Sequence, residues 1–168
     1  MKQDNLLIVG AGQYGAVAKE TAAVTGRFER IDFLDDNHPD AIGKIADAEH
    51  FFGEYNQAFV AIGNPDVRLT LLKRLKEIGF ALATLVSPKA YVSPSAKIGS
   101  GTIVEPCAAV QANTRIGSGC ILSAGSVVNH NCEIGAGCHI DCNATVCARS
   151  VVAEKTKVNC GQVFKQEG

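Results

Sequence analysis

From residue 86 to residue 164 an aliphatic or aromatic side chain recurs at every sixth position: Val86, Val92, Ile98, Val104, Val110, Ile116, Leu122, Val128, Ile134, Ile140, Val146, Val152, Val158 and Phe164. Four residues after each of these comes a position that is nearly always small: Ala90, Ala96, Thr102, Ala108, Thr114, Cys120, Ser126, Cys132, Cys138, Ala144, Ser150, Thr156, then Gln162. A helix shows apolar spacing near 3.6 and an ordinary strand a spacing of 2, so a strict six with paired large and small positions predicts a repeat solenoid. Three hexads make one triangular coil, and successive coils pair at the strand spacing of about 4.8 Å. Residues eighteen apart therefore stack in columns. One column sets Arg115 beneath Glu133, another aligns Asn113, Asn131 and Arg149, and a third aligns Ala112, His130 and Ala148.

Before residue 85 the pattern changes. Apolar runs rich in strand formers at 5–10 (NLLIVG), 28–34 (FERIDFL), 57–62 (QAFVAI) and about 80–85 alternate with helical stretches. The helices are predicted directly after Gly10, at 46–53 and at 66–78, the last with a stripe of Leu69, Leu72 and Leu75 and a stop at Gly79. Such alternation predicts a small parallel α/β sheet. The expected organisation is an α/β domain over 1–84 and an all-β solenoid over 85–168.

Gly10, Gly12 and Gly15 spell GxGxxG between the first strand and the first helix. In that context the motif lets backbone N–H groups and a helix N-terminus receive a phosphate. Asp35 and Asp36 end the second strand, where a dinucleotide fold places a ribose-binding acid. A nicotinamide dehydrogenase is conceivable on this evidence. However, about 84 residues supply only half of the doubly wound fold and leave little room for a nicotinamide half-site.

The net charge of −1 gives no case for nucleic acid or an anionic membrane as partner. Residues 85–168 carry 7 basic and 5 acidic side chains against 9 and 12 in residues 1–84, a mildly positive balance that suits a phosphorylated ligand. Leu6 to Val9 is far too short for a signal peptide and no run approaches a membrane span, so a cytoplasmic location is expected. All 7 cysteines lie in the second half, an odd number that argues against a disulfide framework. Cys132, Cys138, Cys142 and Cys147 invite a zinc reading, but no CxxC pair is present. Cys120, Cys132 and Cys138 also fall on the small inward position, where Cys acts as a compact hydrophobe. No metal is expected.

The segments IGSGTI (98–103), IGSGCI (116–121) and IGAGCH (134–139) resemble the hexapeptide repeat of the left-handed parallel β-helix acyltransferases. The handedness is an implication of that resemblance alone, since general chirality rules favour the opposite crossover. VGAGQYG (9–15), FLDDN (33–37) and AIGNPDVR (61–68), placed ahead of such repeats, resemble the nucleotide-sugar-binding domain of bacterial sugar O- and N-acyltransferases. That group includes sialic acid O-acetyltransferases and UDP-4-amino-sugar N-acetyltransferases. The resemblance implies acetyl-CoA as co-substrate, a sugar or nucleotide sugar as acceptor and a homotrimer. It also implies that Gly10, Gly12 and Gly15 receive the diphosphate, that Asp35 and Asp36 recognise the base or ribose, and that Asn64 lies beside the ligand. Tyr14 stands where the family usually has His and remains a substrate-binding position.

Acyl transfer from a thioester to an amine or hydroxyl needs a base for the nucleophile's proton, and His suits that work at neutral pH. Only His130 and His139 fall in the solenoid. The resemblance makes His130 the general base and His139 an acetyl-CoA-binding residue. Asn131 follows His130 where the family commonly has Asp or Glu. It is expected to orient the imidazole without offsetting its charge, with Glu133, Asp141 and Glu105 as other carboxylates that could reach in. Only about 29 residues remain after His139, fewer than the family generally has. Lys155, Lys157 and Lys165 could meet the phosphates of coenzyme A, although as solvated surface they need no ligand. A γ-type carbonic anhydrase requires three zinc-binding His, and the solenoid has two. The non-enzyme alternative is a sugar-nucleotide-binding or regulatory protein that has lost acyl transfer.

Overall fold

The computed structural model describes residues 4–166. The chain forms two compact units that divide between Leu85 and Val86. No helix among the described residues is long and apolar enough to cross a membrane.

The first unit holds strands β1 (Asp4–Val9), β2 (Phe28–Leu34), β3 (Ala41–Gly43), β4 (Gln57–Val60) and β5 (Ala81–Leu82), with helices α1 (Gln13–Ala23) and α2 (Pro65–Ile78). All strands are parallel, in the order β3-β2-β1-β4-β5. Leu6, Leu7, Ile8 and Val9 are fully buried, as expected of a central parallel strand covered on both faces. The stretch expected as a helix at 46–53 is a 3₁₀ turn, Ile45–Phe51. The edge strand β3 was not expected, because three residues flanked by Pro and polar side chains carry no readable period. The strand expected at 80–85 is two elements: β5 closes this sheet and β6 opens the solenoid.

The second unit consists of two-residue strands at six-residue intervals. They are β6 (Leu85–Val86), β7 (Tyr91–Val92), β8 (Lys97–Ile98), β9 (Ile103–Val104), β10 (Ala109–Val110), β11 (Arg115–Ile116), β12 (Ile121–Leu122), β13 (Val127–Val128), β14 (Glu133–Ile134), β15 (His139–Ile140), β16 (Thr145–Val146), β17 (Val151–Val152), β18 (Lys157–Val158) and β19 (Val163–Phe164). They form three parallel faces: β6-β9-β12-β15-β18, β7-β10-β13-β16-β19 and β8-β11-β14-β17. Every pairing joins residues eighteen apart, including Arg115 with Glu133, although no ion pair joins those two side chains. The large inward series from Val104 to Val158 is buried throughout, with the small series packed beside it.

The small positions also tie the coils together. Thr102 Oγ1 and Thr114 Oγ1 donate to the carbonyls of Gly117 and Asn129 at 2.9 and 2.6 Å. The thiols of Cys120, Cys132 and Cys138 donate in the same way to Gly135, Cys147 and Ala153. The seven cysteines are all free thiols.

From the third corner of the solenoid onward, each corner contains one residue in the left-handed region. From Gly101 to Gly161 every sixth residue has φ between 56° and 71°, and the non-glycines among them are Cys107, Asn113, Asn131, Asn143, Arg149 and Lys155. The Asn113, Asn131 and Arg149 column is thus a column of turn residues.

Candidate active site

In the first unit, the chain leaves β1 toward β2 on one side and reaches β4 on the other. This makes the carboxyl ends of β1 and β4 a topological switch point, where open α/β sheets bind ligands. The three glycines of the motif divide their work there. Gly10 has φ +100°, and a Cβ on it meets the Ala61 carbonyl at 2.9 Å. A Cβ on Gly15 sits 2.3 Å from the Gly10 carbonyl, so this glycine allows helix and turn to pack. Gly12, the N-cap of α1, faces open space. Of the three, only Gly12 leaves open space where a side chain would stand.

Asp35 ties this loop to the end of β2. Its Oδ2 accepts the Ala11 N–H at 2.9 Å, and its Oδ1 accepts from Asn37 and His38. These bonds, led by that of Ala11, hold its carboxyl below the usual value. Asp36 Oδ1 accepts from the Ile45 N–H at 3.1 Å. Asn64 caps α2 by accepting from Asp66 and Val67, with Pro65 at the first helical position. Tyr14 is half-buried in the first turn of α1. Thus Asp35, Asp36 and Asn64 all act on the frame of the crevice.

Four residues went unmarked in the sequence. Arg68 is only 1% exposed, and its Nη1 donates to the carbonyls of Ile62 (2.7 Å) and Gly63 (2.8 Å), fixing the loop that carries Asn64. A cleft of about 610 Å³ runs beside α1, lined by Gly12, Gln13, Lys19, Phe33, His38 and Asp40 among others. The Lys19 ammonium lies 4.9 Å from the centre of the Phe33 ring. Lys19, His38 and Asp40 have no periodic signature, which is why spacing does not find them.

In the second unit, His130 and Asn131 occupy the corner between β13 and β14, and both are exposed. Asn131 has φ 57°, a conformation Asn tolerates better than most residues. Its Nδ2 lies 2.8 Å from His130 Nδ1. An amide nitrogen there donates to Nδ1 and leaves the neutral ring's proton on Nε2. The amide turned over presents Oδ1 instead, fixes the proton on Nδ1 and leaves Nε2 as the base. Among the described residues no carboxylate forms an ion pair with His130.

Asp141 and Glu105 are engaged on another face. His139 begins β15, and its Nε2 lies 3.0 Å from Ser123 Oγ and 3.6 Å from Asp141 Oδ1. Lys157 Nζ stands 3.0 Å from the other Asp141 oxygen. Glu105, buried at 7% exposure, accepts the Ala124 N–H at 3.0 Å. His130 and His139 follow different corners of the coil, so one chain does not bring the two imidazoles together by its register. No group of three or more His, Cys, Asp or Glu among the described residues is arranged to hold a metal ion.

The fold and its repeats define a hexapeptide-repeat β-helix behind a small α/β domain. Residues 5–75 match the PglD N-terminal domain, and residues 95–130 and 113–148 match the bacterial transferase hexapeptide (six repeats). The chain thus carries a PglD N-terminal domain followed by hexapeptide repeats, and its solenoid is the left-handed parallel β-helix.

Among solved structures it is similar to the acetyltransferase domain of PglB from Neisseria gonorrhoeae FA1090, at 28% identity over 97% of this chain and 92% of that one, with TM-score 0.81. That domain is also known in complex with acetyl coenzyme A. PerB from Caulobacter crescentus, in complex with CoA and GDP-perosamine, shares 26% identity over 97% of this chain and 89% of that one, with TM-score 0.84. WeeI from Acinetobacter baumannii AYE shares the fold at 20% identity, over 99% and 82% of the two chains, with TM-score 0.87.

Proposed function

We propose that this protein is an acetyl-CoA-dependent acetyltransferase acting on an amino or hydroxyl group of a nucleotide-activated sugar. The N-terminal unit holds the nucleotide sugar, with the diphosphate at Gly12 and the α1 N-terminus. His130 removes the proton of the attacking group, and His139 contacts the acetyl donor. Supporting this reading are the paired domains, the likeness to PglB and PerB, and the geometry of the His130–Asn131 pair. That pair is the observation that carries the assignment: an exposed imidazole whose Nδ1 is held at 2.8 Å by a neighbour fixed in the corner. A base needs such orientation before its pKa matters.

In this mechanism Asn131 turns its amide to present Oδ1, so that Nε2 is the accepting nitrogen. The acceptor's amine or hydroxyl loses its proton to His130 as it attacks the thioester carbonyl. Backbone N–H groups near the turn stabilise the oxyanion. The C–S bond breaks, and the thiolate of coenzyme A leaves with the proton that His130 took up, which returns the imidazole to its neutral form. Acetyl-CoA lies between neighbouring β-helices of a homotrimer, which lets the His139 of one copy serve a site with the His130 of another.

The test follows free thiol while protein, acetyl-CoA and a panel of UDP- and GDP-amino sugars are incubated. The expected result is release with at least one sugar, lowered about 10²–10⁴-fold by His130→Ala. Tight binding of a nucleotide sugar with no release for any acceptor turns the assignment to the non-catalytic alternative.

A further inference from the structure

The polar group around His139 is more than a binding contact needs. Four side chains meet on this face: Ser123 at the end of β12, His139 and Asp141 on either side of Ile140, and Lys157 on β18, with Glu105 at the end of β9, eighteen residues before Ser123, held by the Ala124 N–H. Register fixes them, because His139 pairs with Ile121 above and Lys157 below. Asp141 is the hub. Its Oδ1 accepts the Cys142 N–H at 2.8 Å and faces His139 Nε2 at 3.6 Å, and its Oδ2 accepts from Lys157 Nζ at 3.0 Å.

An ionised carboxylate only accepts, so Asp141 favours the form of His139 that carries a proton on the nitrogen facing it, 3.6 Å away. Ser123 Oγ, 3.0 Å from the same nitrogen, accepts that proton in this form and donates its own when the nitrogen is bare. Asp141 thereby favours Nε2–H, and the imidazolium above the neutral ring. Partial burial raises the Asp141 carboxyl, but the Cys142 N–H, Lys157 and His139 outweigh it, and its pKa is lowered. Asp141 is therefore charged throughout the range in which His titrates. Glu105 adds to the same negative field. Burial, then the charges of Asp141 and Glu105, push up the thiol of Cys142 beside them.

We infer that Asp141 is a positioning residue that sets the orientation and the charge of His139, with Lys157 as its counterweight. The carboxylate favours the imidazolium. The ammonium opposes it, both as a like charge and as a competitor for Asp141. The balance between them decides how much of His139 is cationic at neutral pH. Through that charge it controls how His139 meets the acetyl donor, a step that rests on the reading of His139 proposed above.

Two substitutions move His139 in opposite directions, which loss of structure does not do. Titration of the His139 ring protons by NMR in the full chain without ligand is expected to show a midpoint lowered by about one unit in Asp141→Asn and raised by about half a unit in Lys157→Met. Asn keeps an acceptor for the Cys142 N–H, and Lys157 is exposed, so both variants are expected to fold. The affinity of coenzyme A, measured across the same pH range, is then expected to follow each variant's His139 midpoint. Unmoved midpoints in both variants, or shifts of the same sign, overturn the assignment of Asp141 whatever the protein's activity. Opposite shifts with a coenzyme A affinity that ignores them leave Asp141 in place and remove His139 from the donor site.

Discussion

Asn131 serves two demands at one position. The corner needs a residue that accepts φ 57°, and the imidazole beside it needs a partner at Nδ1. Asp meets both and adds charge. In Asn131→Asp the carboxylate stabilises the positive charge that the imidazole gains with a proton, and a general base works only when neutral. The acid limb of kcat/KM is therefore expected to move to higher pH by about one unit, while activity on the plateau is retained. An unmoved limb in the folded variant removes His130 from the role of base.

Asp35 offers a stability test of the other sign. Asp35→Ala strands the N–H groups of Ala11, Asn37 and His38, at a cost of about 1–2 kcal/mol after solvent screening of a half-buried group. Because its folded pKa is depressed, that stability is fully present above the ordinary value of 3.8 and is lost as pH falls through the lower folded value. Urea melts should separate the two proteins at pH 7, and the gap should close in strong acid. At this scale the sequence was partly legible. His130, Asn131, Asp35 and Asn64 stand in recognisable motifs, but their bonding partners do not. Nothing in spacing marks Arg68 as buried or places Lys19, His38 and Asp40 along one cleft.

The elements were more legible, because a period of six carried by fourteen successive positions overrides any local propensity. Pattern reading follows which side chains point inward, so it captured the core and missed the backbone. It did not show that the corners from Gly101 onward each hold a left-handed residue, nor why Gly99, Gly117 and Gly135 recur. These three line one corner so tightly that a Cβ on Gly117 lies 2.6 Å from the Ala136 nitrogen, and one on Gly135 lies 2.5 Å from that of Glu154. Backbone of the next coil cannot step aside. Gly117→Ala is expected to cost about 1–3 kcal/mol by differential scanning calorimetry. Ala153, at the equivalent place on the last described coil, carries its methyl with no described coil stacked on it. Gly12→Ala is the contrast in the other unit. It has open space and an ordinary φ, so the cost should be only that of a poorer N-cap, about 0.5–1 kcal/mol. Affinity for a nucleotide sugar should fall at least about tenfold if the diphosphate lies against that backbone.

For the molecule as a whole, the β7-β10-β13-β16-β19 face carries an outward column of Tyr91, Ala109, Val127, Thr145 and Val163. Tyr91 is 53% exposed and Val163 67% exposed, while the equivalent column of the neighbouring face, Lys97, Arg115, Glu133 and Val151, is mostly charged. A column of apolar side chains on a flat, regular face is suited to association with another copy, whereas the charged column keeps the neighbouring face in water. One apolar side per copy lets a closed assembly form with no sticky face left over, and the threefold count in the proposed trimer rests on the family resemblance. Sedimentation equilibrium is expected to give three times the mass of the single chain. The double substitution Tyr91→Glu, Val127→Asp places charge at two levels of this column and should yield monomers with unchanged β-sheet circular dichroism. Those monomers should also lose acetyl transfer, because His130 and His139 follow different corners of one coil. A wild-type protein that sediments as a single chain, yet transfers acetyl groups, forces the whole site back into one copy. The roles of the two histidines then have to be reassigned.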